Sequence, residues 1–129
     1  MMLLDTSGLY CLHHADEPRL KALFEIAGLK LVHSYVLAEF IALADTRGLH
    51  RGSALAFMDD LVDQPDVEVV WVDADLHREG MKLLFARLDK RYSLADTISF
   101  VLMGRRGLSE ALTTDHHFEQ AGFVRLLRP

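Results

Sequence analysis

The chain has 129 residues, half of them hydrophobic and 26% charged, and a formal net charge of −5 at pH 7; this suits one domain, residues 1–129, with a real core. No uncharged stretch approaches the roughly 18 apolar residues of a membrane span. The N-terminus also lacks the basic flank and cleavage pattern of a secretory signal, so a cytoplasmic protein with no membrane association is expected. A lone cysteine, Cys11, excludes an internal disulfide and reads as a small core residue, since nothing nearby in sequence activates it.

Residues 2–5 read as a short buried strand. Asp5-Thr6-Ser7-Gly8 then offers turn and cap chemistry, with a helical turn over residues 9–13. Pro18 suits the first turn of a helix over residues 18–27, closed by Gly28. Residues 31–33 form a candidate second strand. Ser34 is placed to cap a helix over residues 35–47, stopped by Gly48, and another helix spans residues 52–62. Residues 67–72 are the clearest strand, because β-branched side chains and Trp71 crowd it. Asp73 can cap a helix over residues 74–88, and Ser93 one over residues 94–106 that Gly107 ends. Residues 110–114 look like a strand, 115–121 like a short helix ending at Gly122, and 124–127 like a last strand. Pro18, Pro65 and Pro129 all stand where an element can start or end. Strands alternating with helices predict an α/β sandwich with a mostly parallel sheet, whose ligand sites lie beyond the carboxyl ends of its strands.

Four acids interrupt apolar surroundings. Asp5 ends the run Met1-Met2-Leu3-Leu4, and Asp115 follows Ala111-Leu112-Thr113-Thr114. Both should therefore point into the crevice at the strand ends. Glu39 borders the apolar stripe Val36, Leu37, Phe40, Ile41, Leu43 and Ala44, where it either bends to solvent or serves as a ligand. Asp96 opens the helix Thr97-Ile98-Ser99-Phe100-Val101-Leu102-Met103, which has no polar face and so reads as buried. A buried carboxylate is costly unless a cation or hydrogen bonds compensate it. Four from distant parts of the chain suggest one compensated cluster, with a divalent metal as the natural compensator. Local roles compete with that reading. Asp5 or Ser7 can cap the first helix, Ser93 and Asp96 match a capping box, and Asp115 can cap the helix after it. Ser99 can support the site or satisfy a backbone carbonyl. His13, His14, His116 and His117 read as surface or packing residues, because adjacent helical positions diverge by about 100° and cannot easily share an ion. No Cys/His spacing supports zinc.

Charge is uneven. Seven basic and three acidic residues make residues 78–106 +4, leaving −9 elsewhere. A phosphate-binding face beside an acidic pocket and a solvated helix with ordinary ion pairs both account for it.

Taken together, Leu4-Asp5-Thr6-Ser7, Val36-Leu37-Ala38-Glu39-Phe40, Tyr92-Ser93-Leu94-Ala95-Asp96-Thr97-Ile98-Ser99-Phe100 and the run from Ala111 to Phe123 resemble a PIN domain. The resemblance is closest to small VapC-type ribonucleases, toxins of bacterial toxin–antitoxin pairs, and it covers essentially the whole chain. It implies a PIN-like three-layer α/β/α sandwich and an endonuclease that hydrolyses RNA. It implies that Asp5, Glu39, Asp96 and Asp115 hold one or two Mg²⁺ or Mn²⁺ ions, that Thr6 and Ser99 support them, and that cleavage leaves a 5′ phosphate and a 3′ hydroxyl. It also implies a VapB-like antitoxin and a homodimer, with helices such as residues 20–29 and 52–62 available to line an apolar groove. Glu119, one turn past Asp115, is left outside the metal ligands, and no substrate-binding residue is singled out. Two other functions compete: a PIN-like binding module without metal, and a phosphotransferase of the haloacid dehalogenase type using Asp5 as nucleophile. The latter normally has a second Asp two residues on, where this chain has Ser7.

Overall fold

Five short strands pair side by side in this computed structural model, which describes residues 1–14 and 18–128. The expectation for Pro129 lies outside those residues. In chain order the elements are β1 (Met2–Leu4), α1 (Thr6–His14), α2 (Pro18–Ile26), β2 (Lys30–His33), α3 (Ser34–Thr46), α4 (Arg51–Val62), β3 (Val67–Val70), α5 (Ala74–Ala86), α6 (Leu94–Arg106), β4 (Glu110–Leu112), α7 (His117–Gln120) and β5 (Val124–Arg125). The sheet order is β3-β2-β1-β4-β5, and every pairing is parallel. Leu3 is in register with Leu31 on one side and Ala111 on the other.

Parallel strands need both faces covered, and the alternation of side chains along β1 does this. Met2 and Leu4 enter the core beneath α1, α3 and α4 with Val36, Phe40 and Leu61. Leu3 enters the opposite core, where Ile98, Phe100 and Met103 of α6 meet Leu76 of α5 and Phe118 of α7. The result is the expected three-layer α/β/α sandwich. Among the described residues no helix is long and apolar enough to cross a membrane.

Several ends differ from the sequence expectation. α1 is a full helix starting at Thr6 rather than a turn over residues 9–13. β3 stops at Val70 and leaves Trp71 exposed. β4 ends at Leu112 and β5 at Arg125, shorter than predicted; the residues after β4 lead into the crevice at Asp115, while Leu126 and Leu127 bond to Ala111 O and Thr113 O. Ser34 does not cap α3; its hydroxyl instead accepts the Val72 N–H at 2.9 Å and ties down the connection after β3. Asp73 and Ser93 do cap, accepting from the N–H groups of Leu76 and Asp96. All four glycines expected to stop helices, Gly28, Gly48, Gly107 and Gly122, take positive φ.

Lys30 is fully buried at the start of β2. Its ammonium donates to Phe24 O at 3.0 Å, pairs with Asp66 and sits 4.3 Å over the Phe24 ring. A buried charge is tolerated only with such partners.

The packing of α1 against β4 brings two strand ends together. A Cβ placed on Gly8 would lie 2.0 Å from Leu112 O, so only glycine lets this helix approach. Gly8→Ala is therefore expected to lower unfolding free energy by about 3 kcal/mol in urea titration. Gly104 of α6 faces open space, and Gly104→Ala should raise stability by about 0.5–1 kcal/mol. Equal effects of the two changes would contradict this packing.

Candidate active site

The chain passes from β1 to β2 on one side of the sheet and from β3 across to β4 on the other. The strand order thus reverses between β1 and β4, and such a switch point opens a crevice at the carboxyl ends of the strands. Asp5 follows β1 directly, and Asp115 lies three residues beyond the end of β4. Asp96 joins them from the first turn of α6. Carboxylate oxygens of Asp5, Asp96 and Asp115 all lie within 4.8 Å of one another. Around them is an open pocket of about 370 Å³ lined by Asp5, Thr6, Ser7, Glu39, Leu43, Arg91, Ser93, Asp96, Asp115 and His117.

Local structure holds each acid. Asp5 is buried at the mouth of α1, where its carbonyl accepts the Leu9 N–H at 3.0 Å. Its Oδ2 accepts the Thr113 hydroxyl at 2.7 Å. With that proton committed, the Ser7 hydroxyl has Thr113 Oγ1 at 3.1 Å and Asp5 Oδ2 at 3.4 Å as acceptors, and it accepts the Thr114 N–H at 2.9 Å. Thr113 Oγ1 also accepts the Asp115 N–H at 2.9 Å. One hydroxyl pair therefore locks the segment after β4 to the start of α1. Ser7 does not cap its own helix. Thr113, fully buried, is a supporting residue that the sequence does not single out, since it lies in the apolar run before Asp115.

Asp96 completes a capping box, accepting the Ser93 N–H at 3.0 Å through Oδ2. Asp115 Oδ1 accepts the His117 N–H at 2.9 Å. Capping and pocket lining are thus combined in Asp96, whereas the N-cap of α7 is His116 and Asp115 only bonds the first N–H of that helix. Glu39 lines the same pocket from α3, outside the three-acid set, and its Oε1 accepts the Thr6 hydroxyl at 2.7 Å. The Thr6 hydroxyl accordingly supports Glu39, while the Thr6 backbone bonds to Asp5 and favours its charged form.

Ser99 does not reach the carboxylates. Its hydroxyl lies 2.9 Å from Nε2 of the buried His33, which is also 3.1 Å from Ala95 O. Contact with a carbonyl requires the proton on Nε2. This link ties the first turns of α6, and so Asp96, to the end of β2. Glu119 turns outward and pairs with Arg125 at 2.8 Å. His117 corrects the sequence reading: it lines the pocket, with Nδ1 3.3 Å from Asp96 Oδ2 and 3.2 Å from Asp115 Oδ1. His116 fits the surface role expected of it, its side chain 64% exposed against 18% for His117.

Crowding and burial disfavour charge here. Burial first, then the charges of Asp96 and Asp115, pushes the Asp5 carboxyl up to about 7, against the lowering effect of the Thr113 hydroxyl. Burial also raises Asp96, reinforced by Asp115 and Glu39 and opposed by the Ser93 N–H and by His117. Elsewhere the basic segment is largely neutralised by Arg78–Asp75, Arg87–Asp89, Arg105–Glu79 and Arg106–Glu68 pairs. Arg91 lines the pocket, and no carboxylate among the described residues pairs with it.

The sequence model of the family described as PIN domain matches residues 2–124. The chain is 29% identical over 130 aligned residues, 98% of both chains, to the 23S rRNA-specific endonuclease VapC20 of Mycobacterium tuberculosis in strains CDC 1551 / Oshkosh and ATCC 25618 / H37Rv. The crystal structure of Mycobacterium tuberculosis VapC20, described as a Sarcin-Ricin loop cleaving toxin, matches the whole of both chains with a TM-score of 0.85 and 30% identity. With the family match spanning nearly its full length and a five-stranded parallel sheet ending in clustered acids, the chain belongs to the PIN domain family.

Proposed function

We propose that this protein is a divalent-metal-dependent endoribonuclease and the toxin of a toxin–antitoxin pair, with Asp5, Asp96 and Asp115 as metal ligands and Glu39 as a fourth acid on the pocket wall. The observation that carries the reading is the convergence of three carboxylates, two of them buried, on oxygens within 4.8 Å. The donor set fits Mg²⁺ or Mn²⁺, which take hard oxygen ligands and keep several waters in an open pocket. When bound, such an ion supplies Lewis-acid stabilisation of phosphate charge and lowers the pKa of water.

The chain's own residues supply the rest. Thr113 and the Ser93 N–H fix the orientations of Asp5 and Asp96, and Thr6 fixes Glu39. Arg91, the uncompensated cation on the pocket wall, is suited to hold a substrate phosphate. Every hydroxyl in the pocket already has a partner: Thr6 with Glu39, Ser7 with Thr113 and Thr114, Ser93 with Asp96. Water is the nucleophile that such an ion would activate. Its oxygen bonds to phosphorus, the bond from phosphorus to the 3′ oxygen breaks, and that oxygen takes a proton, leaving a 5′ phosphate and a 3′ hydroxyl. The Asp5-nucleophile phosphotransferase is disfavoured because it normally has a second Asp two residues on, where this chain has Ser7.

Likeness to VapC20 makes a loop of 23S rRNA the first substrate to test, and RNA of that kind suits a cytoplasmic enzyme. The same reading brings a VapB-like antitoxin and a homodimer. Apolar surface supports them: Leu20 and Leu23 of α2 form a groove with Leu126 and Leu127, Leu55 of α4 is exposed, and Trp71, Phe85 and Leu88 are more so.

Digestion of total RNA with Mg²⁺ or Mn²⁺, followed by sequencing of the ends, should give discrete cuts with 5′ phosphates. Asp96→Asn should reduce cleavage more than about a hundredfold while leaving the circular dichroism spectrum unchanged. Undiminished cutting by the folded variant would remove Asp96 from the site. Arg91→Ala should weaken RNA binding about tenfold and lower its salt slope by about 1; an unaltered slope would exclude a phosphate contact.

Metal-free stability gives an independent check. Asp5 ionises near 3.8 when unfolded and near 7 in the fold. Its contribution is intact below the lower value and is lost as pH rises through the higher one. His33 acts oppositely, because burial lowers it to about 4, so stability falls as pH drops below 6.5. Comparing Asp5→Asn with the parent cancels the His33 effect. The variant should melt higher, by an amount growing from pH 4 to pH 7 to about 5 °C or more, and added Mn²⁺ should narrow the gap. A constant or negative difference would contradict the assigned cause.

A further inference from the structure

We propose that His117 Nδ1 is a ligand to the same ion that Asp96 and Asp115 hold, and that this nitrogen biases the site toward Mn²⁺ over Mg²⁺. The inference rests on the nuclease reading above and extends its ligand set beyond carboxylates.

Geometry carries it. Nδ1 lies 3.3 Å from Asp96 Oδ2 and 3.2 Å from Asp115 Oδ1. Neighbouring ligands of an octahedral ion with bonds of about 2.1 Å are about 3 Å apart. Nδ1 therefore stands at the separation of an adjacent ligand position from an oxygen of each acid. Nδ1 is buried, yet it has no hydrogen-bond partner of acceptable geometry. A buried ring nitrogen is seldom left unsatisfied, and a shared cation would satisfy it together with both carboxylates.

The ring is held in place rather than free to choose this position. Its N–H backbone group is bonded to Asp115 Oδ1 at 2.9 Å. Tyr92 packs edge-on against it at 5.5 Å and 84°, and Tyr92 is itself braced edge-on by Phe100 at 5.0 Å. Only one histidine of the adjacent pair reaches the pocket. The Nδ1 of His116 is 3.8 Å from Asp115 Oδ1, and that side chain is mostly in solvent. An imidazole nitrogen is a softer donor than a carboxylate and adds little for Mg²⁺, whereas a first-row transition ion gains from it.

The test uses tag-free, full-length protein loaded with Mn²⁺. Electron spin-echo envelope modulation should reveal a directly bonded ¹⁴N in the parent protein. The signal should persist in His116→Gln and vanish in His117→Gln. Calorimetry should show Mn²⁺ affinity falling about tenfold in His117→Gln while Mg²⁺ affinity changes less than about twofold. Bound Mn²⁺ without nitrogen modulation would overturn the inference and leave the carboxylate site standing, with His117 only an ion-pair partner of the acids. So would modulation that survives His117→Gln or is lost in His116→Gln. Absence of any Mn²⁺ binding would overturn this inference and the nuclease reading together. If His117→Gln does not fold, the parent and His116→Gln spectra still decide.

Discussion

Two neighbouring parallel strands, β1 and β4, lead into carboxylates at the point where strand order reverses, and the surrounding protein supplies too little positive charge to neutralise them. Asp5 is the clearest case. It is desolvated between two packed cores, shares its surroundings with Asp96 and Asp115, and has one strong hydroxyl donor, Thr113. Such a site is destabilising as it stands. Proteins keep arrangements of this kind where function requires them and compensate elsewhere. A divalent cation turns the same repulsion into a binding site, and this is the economy on which the proposed activity depends.

The rest of the fold serves that meeting of side chains. Gly8 lets α1 approach Leu112 O closely, so the helix that follows Asp5 lies against the strand that precedes Asp115. The Ser7–Thr113 hydroxyl pair then fixes the two segments to one another. On the other side, His33 joins β2 to the first turns of α6 through Ala95 O and Ser99, and the capping box sets the Asp96 carboxylate. Apolar packing brings the elements together, while a small set of buried hydroxyls, one imidazole and a few backbone N–H groups settle where the acids point. Changes in these supports should therefore affect the site without any of them touching RNA.

Much of this was legible in the sequence, for physical reasons that can be named. The alternation of strands and helices marked the layered sheet, and α6 was recognisable from its missing polar face, its Ser93 cap and its Gly107 stop. Asp5, Asp96 and Asp115 stood out because isolated acids beside apolar runs need compensation, and the structure brings these three together. Contacts between distant segments were not legible. Thr6 could as well have served Asp5 as Glu39, and nothing local directed Ser99 toward His33. His117 was judged by the divergence of adjacent helical positions. That argument holds for the pair, but it does not say which member faces inward. Tyr92, remote in sequence, packs against the inward-facing ring. Strand ends were overestimated at β3, β4 and β5, since the residues after them prolong an apolar or β-branched run without continuing the strand.

The most direct measurement is anomalous diffraction from crystals soaked in Mn²⁺. A manganese peak within bonding distance of oxygens from Asp5, Asp96 and Asp115 is the expected result. Saturating manganese with no peak among those three side chains, or with peaks only on the outer surface, would contradict the account.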